Sequence, residues 1–129
     1  MDAKPELRAR FVLDDDNKPR FLESEEPERK HYSIILETQA PSEVESVVYT
    51  LDPTYFDPVR EVQRSESPEF AEKITSYGDY CIQIGTSGTK ATEFATNREL
   101  LSHALRAGHA TELDANPEIL SAIQNIEKY

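Results

Sequence analysis

The residues that could do chemistry are scattered rather than assembled into a recognised catalytic or metal-binding pattern. Gly85-Thr86-Ser87-Gly88-Thr89-Lys90 has the glycines, hydroxyls and lysine of a phosphate loop. A phosphate loop needs glycine, four residues and then Gly-Lys-Ser/Thr, so that the lysine reaches the phosphates. Here Thr89 separates Gly88 from Lys90, and no helix opens there. Asp14, Asp16 and Lys18 alternate as if beginning a calcium loop, but the sixth position, which the turn reserves for glycine, is Pro19. His31, His103 and His109 lack the paired Cys/His spacing of a zinc site. Cys81 lies between Tyr80 and Ile82 in an apolar run, where a buried, inert thiol is expected. No serine sits on a strand-to-helix elbow, and the many glutamates read as solvated faces rather than paired catalytic carboxylates. The pattern argues against an enzyme, with no catalytic residue, metal or cofactor expected.

The elements that must position any site are short strands. Tyr32, Ile34, Ile35, Leu36 and Thr38 favour a strand over 31–39, which Ala40-Pro41-Ser42 ends. Alternation through Val44, Ser46, Val48 and Thr50 predicts a second strand, stopped at Asp52-Pro53. Asp52 to Pro58 is a loop bounded by two prolines, with Tyr55 and Phe56 at its tip. Val59 to Gln63 reads as a short strand, Ser65 to Pro68 as a turn and Phe70 to Ile74 as another strand. Tyr77-Gly78-Asp79 is a turn, and Tyr80, Ile82 and Ile84 alternate on one face of the strand after it. Tyr49, Phe70 and Tyr80 are expected on inward faces. Gly85 to Gly88 is expected to turn a hairpin, with Lys90 to Ala95 returning as a strand.

The period then changes. Leu100, Leu101, Ala104 and Leu105 match helical spacing, with Thr96 or Asn97 as N-cap, Gly108 near the C-cap, and His103 at the surface or its boundary. Asn116-Pro117-Glu118 opens a second helix, whose Leu120, Ile123 and Ile126 form an apolar stripe expected to pack on its own domain. Residues 1–29 are polar, and their Phe11-Val12-Leu13 run before an Asp14 to Asn17 turn predicts a loosely anchored first strand. The expected organisation is a polar segment 1–29, a β-sandwich 30–107 ending in a short helix, and a linker and helix 108–129. The fold class expected is mainly β: an antiparallel β-sandwich with one or two C-terminal helices.

The chain has 129 residues, one domain's worth, with 14 basic and 25 acidic residues and a net charge of −11. That sign repels phosphate backbones, so no nucleic-acid partner is expected, and it favours a cationic one. Mean hydropathy is −0.65. No apolar stretch approaches the roughly 18 residues of a membrane span, so no membrane partner is expected. The first residues lack a secretory pattern, and a lone cysteine fits a reducing, cytoplasmic setting.

Two segments together resemble the YEATS family. Val47-Val48-Tyr49-Thr50-Leu51-Asp52-Pro53-Thr54-Tyr55-Phe56-Asp57-Pro58-Val59-Arg60 resembles its strand ending in Tyr-x-Leu-His-x-Ser/Thr-Phe and running through proline to a basic residue. Phe70 and Ser76-Tyr77-Gly78-Asp79-Tyr80 resemble its aromatic glycine turn, and Glu99 to Leu105 resembles the segment closing the prokaryotic branch. The chain departs from the family at three positions: Asp52 replaces histidine, Ser76 replaces glycine and Tyr55 replaces phenylalanine. The resemblance implies an immunoglobulin-like antiparallel β-sandwich with an aromatic slot for acylated lysine at one end. On that reading Tyr55 and Tyr77 are the walls and Thr54 supplies a hydroxyl. Gly78 lets the backbone approach the ligand, and Asp79 and Asp52 stand beside it. The flat amide of an acyl-lysine carries no charge, so it can slide between aromatic faces while backbone N–H groups hold its oxygen. The partner expected is a modified-lysine or basic peptide. The alternative is a protein–protein adaptor of a prokaryotic signalling or defence system, docking by a sheet edge or the C-terminal helix.

Overall fold

The computed structural model describes residues 6–23, 30–40, 44–55, 57–87 and 96–128. Among them the chain order is β1 Glu6–Phe11, β2 Phe21–Glu23, β3 Lys30–Gln39, β4 Ser46–Thr50, β5 Val59–Gln63, β6 Glu72–Ser76, β7 Cys81–Ser87, β8 Thr96–Leu100, α1 Leu101–Gly108 and α2 Pro117–Lys128. Two antiparallel sheets form. In the first, β3 pairs with β1 over Ile34 to Gln39 and with β2 over Lys30 to Tyr32. Both lie on one side of β3, because Ile34 and Tyr32 also pair with Ile74 and Ser76 of β6 on the other. The second sheet runs β5-β4-β7-β8.

Alternation explains why these segments are strands. Leu7, Ala9 and Phe11 of β1, Tyr32, Ile34 and Leu36 of β3, Val47 and Tyr49 of β4, and Ile82 and Ile84 of β7 are all buried in one cluster. Their chain neighbours point the other way, as a side-chain period of two requires. Leu101, Ala104 and Leu105 of α1 and Ile119, Ile123 and Ile126 of α2 join the same cluster. The buried stripe of α2 is thus Ile119, Ile123 and Ile126, while Leu120, expected in it, stays half-buried at its edge. The architecture is the expected immunoglobulin-like sandwich with two short C-terminal helices.

One buried side chain ties the sheets together. The Tyr49 hydroxyl donates to the Phe70 carbonyl at 2.7 Å and lies 2.7 Å from Thr38 Oγ1. A phenol has one proton, so Thr38 is the donor to Tyr49. Phe70 is fully buried under the Arg64 guanidinium, which sits 4.7 Å from its ring centre. Its φ of 56° is unusual for a side chain of this size.

Several expectations are corrected. The first strand is not loosely held: β1 pairs with β3 along its whole length, and α1 packs against it. A Cβ on Gly108 would come within 2.0 Å of the Ala9 carbonyl oxygen, so glycine is what lets α1 lie this close. The buried His109 Nε2 accepts the Phe11 N–H at 3.0 Å and its ring stacks on Phe11. Phe70 precedes β6 rather than starting it, because its left-handed backbone cannot continue a strand. Gly85 to Ser87 remain in β7, paired with Ser46 to Val48 of β4, so no turn falls there. Gly88 and the return strand expected at Lys90 to Ala95 lie outside the described residues. Thr96 to Leu100 form β8 rather than capping a helix, because pairing with Cys81 to Gly85 claims their backbone. Cys81 is exposed: Ile82 and Ile84 take the inward face, and parity sends Cys81 outwards. The Asp14 to Asn17 turn forms as expected, with the Asp14 carboxylate accepting the N–H groups of Asp16 and Lys18.

Candidate functional site

The loop after β4 is built by its own side chains. Asp52 Oδ1 accepts the Thr54 N–H at 3.0 Å and the Thr54 hydroxyl at 2.8 Å, and the Asp52 carbonyl accepts the Tyr55 N–H. These donors hold the Asp52 carboxyl below its ordinary range, so it is ionised near neutrality. The turn delivers Tyr55 to β6, where its hydroxyl donates to the Thr75 carbonyl at 2.5 Å. Arg60 does the same one step along, donating to the Lys73 carbonyl at 3.1 Å and pairing with Glu72. Phe56, expected beside Tyr55 at the loop tip, lies outside the described residues.

The turn after β6 faces this loop. The Ser76 hydroxyl donates to the Gly78 carbonyl at 2.7 Å and takes the Gly78 N–H at 3.3 Å. Ser76 thus closes the turn with its side chain. Gly78 does not occupy the left-handed region, so the turn does not call on glycine's backbone freedom here. Asp79 Oδ1 accepts the Ser102 N–H at 2.9 Å and Oδ2 accepts the Ser102 hydroxyl at 2.6 Å. No side chain caps α1 from its own N-terminus, so Asp79 serves as its cap from across the fold.

Between the loop and the turn lies an open cavity of about 420 Å³, lined by His31, Asp52, Thr54, Tyr55, Thr75, Ser76, Tyr77, Gly78, Asp79 and Tyr80. All six site residues expected from the sequence are on its wall. The rings come in two pairs. Tyr55 packs against Tyr80 with centroids 5.6 Å apart, and Tyr77 packs against His31 at 5.2 Å. Tyr77 is 40% exposed, a large aromatic face left to solvent at the mouth.

His31 and Tyr80 were not anticipated at the site. Tyr80 was expected in the core; it sits half-buried at the core's edge and turns to the cavity. Its hydroxyl is buried beside Tyr55 without a well-formed hydrogen bond among the described residues. Burial, with Tyr55 and Asp52 nearby, pushes its pKa far up, so the phenol stays neutral. A signal for His31 did exist. It precedes Tyr32 at the start of an alternating strand, so parity sends it to the outer face where Tyr77 emerges.

The donors matter to what the site can do. The Thr54 hydroxyl and the Gly78 N–H are already engaged within their own turns. The cavity therefore offers mainly ring faces and carboxylate charge. Among the described residues, no group of three or more His, Cys, Asp and Glu side chains is arranged to hold a metal ion, and no helix is long and apolar enough to cross a membrane.

The sequence matches no protein-family model and no curated protein. The fold, however, is similar to that of the YEATS domain of the yeast protein Yaf9. The Yaf9 domain recognizing a succinylated histone H3 peptide superposes with a TM-score of 0.52 at 18% identity, over 81% of this chain and 75% of that one. The same domain bound to an acetylated histone H3 peptide gives a TM-score of 0.50 at 19% identity, over 76% and 70% of the two chains. A further Yaf9 YEATS structure gives a TM-score of 0.50 at 19% identity, over 76% and 71%. At this identity the likeness is one of fold, and the fold is YEATS-like.

Proposed function

We propose that this chain is a non-catalytic recognition module whose aromatic cavity receives the modified side chain of a lysine, an acylated lysine first, presented by a basic peptide. The observation that carries the reading is the pair of ring walls, Tyr55 with Tyr80 and Tyr77 with His31, lining one open cavity between two loops of a rigid sandwich. An acyl-lysine end is flat and uncharged, so burying it between ring faces costs little desolvation and gains dispersion contact. The ammonium of unmodified lysine must shed strongly held water to enter, a cost that the Asp52 and Asp79 carboxylates offset only in part because both are already bonded within the protein, and this favours the acylated form. The net charge of −11 suits a basic peptide around the modified residue. Yaf9, whose domain shares this fold, has been seen with acylated histone peptides, which lends the reading support from a relative. We also read the chain as closer to the prokaryotic branch of the family, on its Glu99 to Leu105 segment, and as suited to a reducing cytoplasm, on its lone Cys81.

The test is a calorimetric titration of acylated and unmodified lysine peptides into the wild type and Tyr77→Ala. Acylated peptide should bind at least about tenfold more tightly than unmodified, the margin expected when one form keeps its hydrated charge. Tyr77→Ala, half-exposed at the mouth, should stay folded and lose that binding. Equal binding of the two peptides, or no binding of either, overturns the reading.

A further inference from the structure

We propose that the aromatic cavity is a charge filter set by Asp52: it takes acyl groups that carry no charge and rejects acyl groups that end in a carboxylate. The inference rests on the acyl-lysine reading of the cavity and adds to it a specificity and the residue responsible.

Two carboxylates line the cavity, Asp52 and Asp79, and neither lysine nor arginine does. His31 is the one lining side chain able to become cationic, and its ring is packed on Tyr77. Arg60, on β5 beside the loop, is turned to Glu72 and to the carbonyls of Asp57 and Lys73.

The two carboxylates are not equivalent. Both oxygens of Asp79 are bonded at the first turn of α1, where the positive end of the helix dipole offsets its charge. Asp52 is bonded to the Thr54 N–H and hydroxyl, two neutral donors that favour its charged form without neutralising it. No cation pairs with Asp52 among the described residues. An entering acyl tail that ends in a carboxylate therefore meets a like charge across the cavity. At about 7 Å, with an effective dielectric between 20 and 80, the repulsion corresponds to roughly a threefold to fiftyfold loss of affinity. A neutral tail of the same length meets no such term.

Butyryl- and succinyl-lysine are the discriminating pair, because each tail has four carbons and only the second ends in a carboxylate. The two peptides, otherwise identical, are titrated into the full chain as wild type, Asp52→Asn and Asp57→Asn. Asparagine at 52 keeps an oxygen for the Thr54 donors, so the turn survives the loss of charge. Asp57→Asn removes one charge from the same loop at an exposed position outside the cavity wall, and so controls for net charge.

The wild type should bind butyryl peptide about tenfold more tightly than succinyl peptide. Asp52→Asn should close most of that gap, strengthening succinyl binding relative to butyryl binding. Asp57→Asn should leave the gap in place. Equal wild-type affinities overturn the filter, as does an Asp52→Asn gap as wide as wild type or an Asp57→Asn gap that closes as much. If wild type binds neither peptide, the acyl-lysine reading itself falls and the filter with it. If it binds butyryl peptide and fails to discriminate, the filter alone falls.

Discussion

Replacing Asp79 by alanine separates a structural role for this carboxylate from a ligand-binding one. Asp79 is on the cavity wall, yet both its oxygens are bonded to Ser102, whose side chain is buried. Removing an N-cap carboxylate costs about 1 kcal/mol, within a range of roughly 0.5 to 2. Leaving the Ser102 hydroxyl without its charged partner adds about 1.5 to 3 kcal/mol. Water from the neighbouring cavity recovers part of this, so Asp79→Ala should destabilise the fold by about 2 to 4 kcal/mol. Asp79→Asn keeps one oxygen for the Ser102 N–H and loses the charge at the helix terminus, for about 1 kcal/mol. Urea denaturation followed by far-UV circular dichroism reads both values. A loss under about 0.5 kcal/mol for Asp79→Ala would refute the capping argument. Unchanged stability with abolished peptide binding would assign the carboxylate to the ligand instead.

Other perturbations probe the frame around the site. Tyr49→Phe removes the donor to the Phe70 carbonyl and the acceptor for Thr38 in the dry interior, so it should cost about 2 to 4 kcal/mol in the same denaturation assay; a loss under about 1 kcal/mol would mean that both groups find other partners. His109 should make stability fall on acidification. Phe11 donates to its Nε2, so its proton sits on Nδ1, 3.5 Å from Glu112, and burial outweighs Glu112 to hold its pKa below the ordinary 6.5. The unfolded chain takes up this proton near pH 6.5 and the folded chain only lower down. The His109 contribution is therefore complete above that point, declines as pH falls from it, and is lost once pH passes the folded value. Urea midpoints of the wild type should drop more steeply on acidification than those of His109→Gln, and parallel curves would count against the assignment.

Much of the frame was legible in the sequence because strand and helix periods are local. The alternation of Tyr32, Ile34 and Leu36 sets which face of β3 turns inward whatever lies opposite. Asn116 and Pro117 start α2 with groups they carry themselves, and the Asn116 side chain does accept the Glu118 N–H. The two loops around the cavity were legible for the same reason, since proline, glycine and aspartate dictate turns over a few residues. Leu7, Ala9 and Phe11 also alternate, but the charged residues between them, Glu6, Arg8 and Arg10, made the segment read as merely polar.

What the sequence by itself determined is thus the parity and punctuation of the chain, while the six residues expected at the cavity came from the likeness of two segments to the YEATS family. Tertiary structure alone decided who meets whom. Tyr80 joins Tyr55 and His31 joins Tyr77 across 25 and 46 positions. Asp79 caps a helix that begins 22 residues later, and β8 forms where a cap was expected because β7 was waiting to pair with it. Such contacts leave no period in the sequence. They depend on which strands become neighbours, and that is settled by burying every inward face in one core at once.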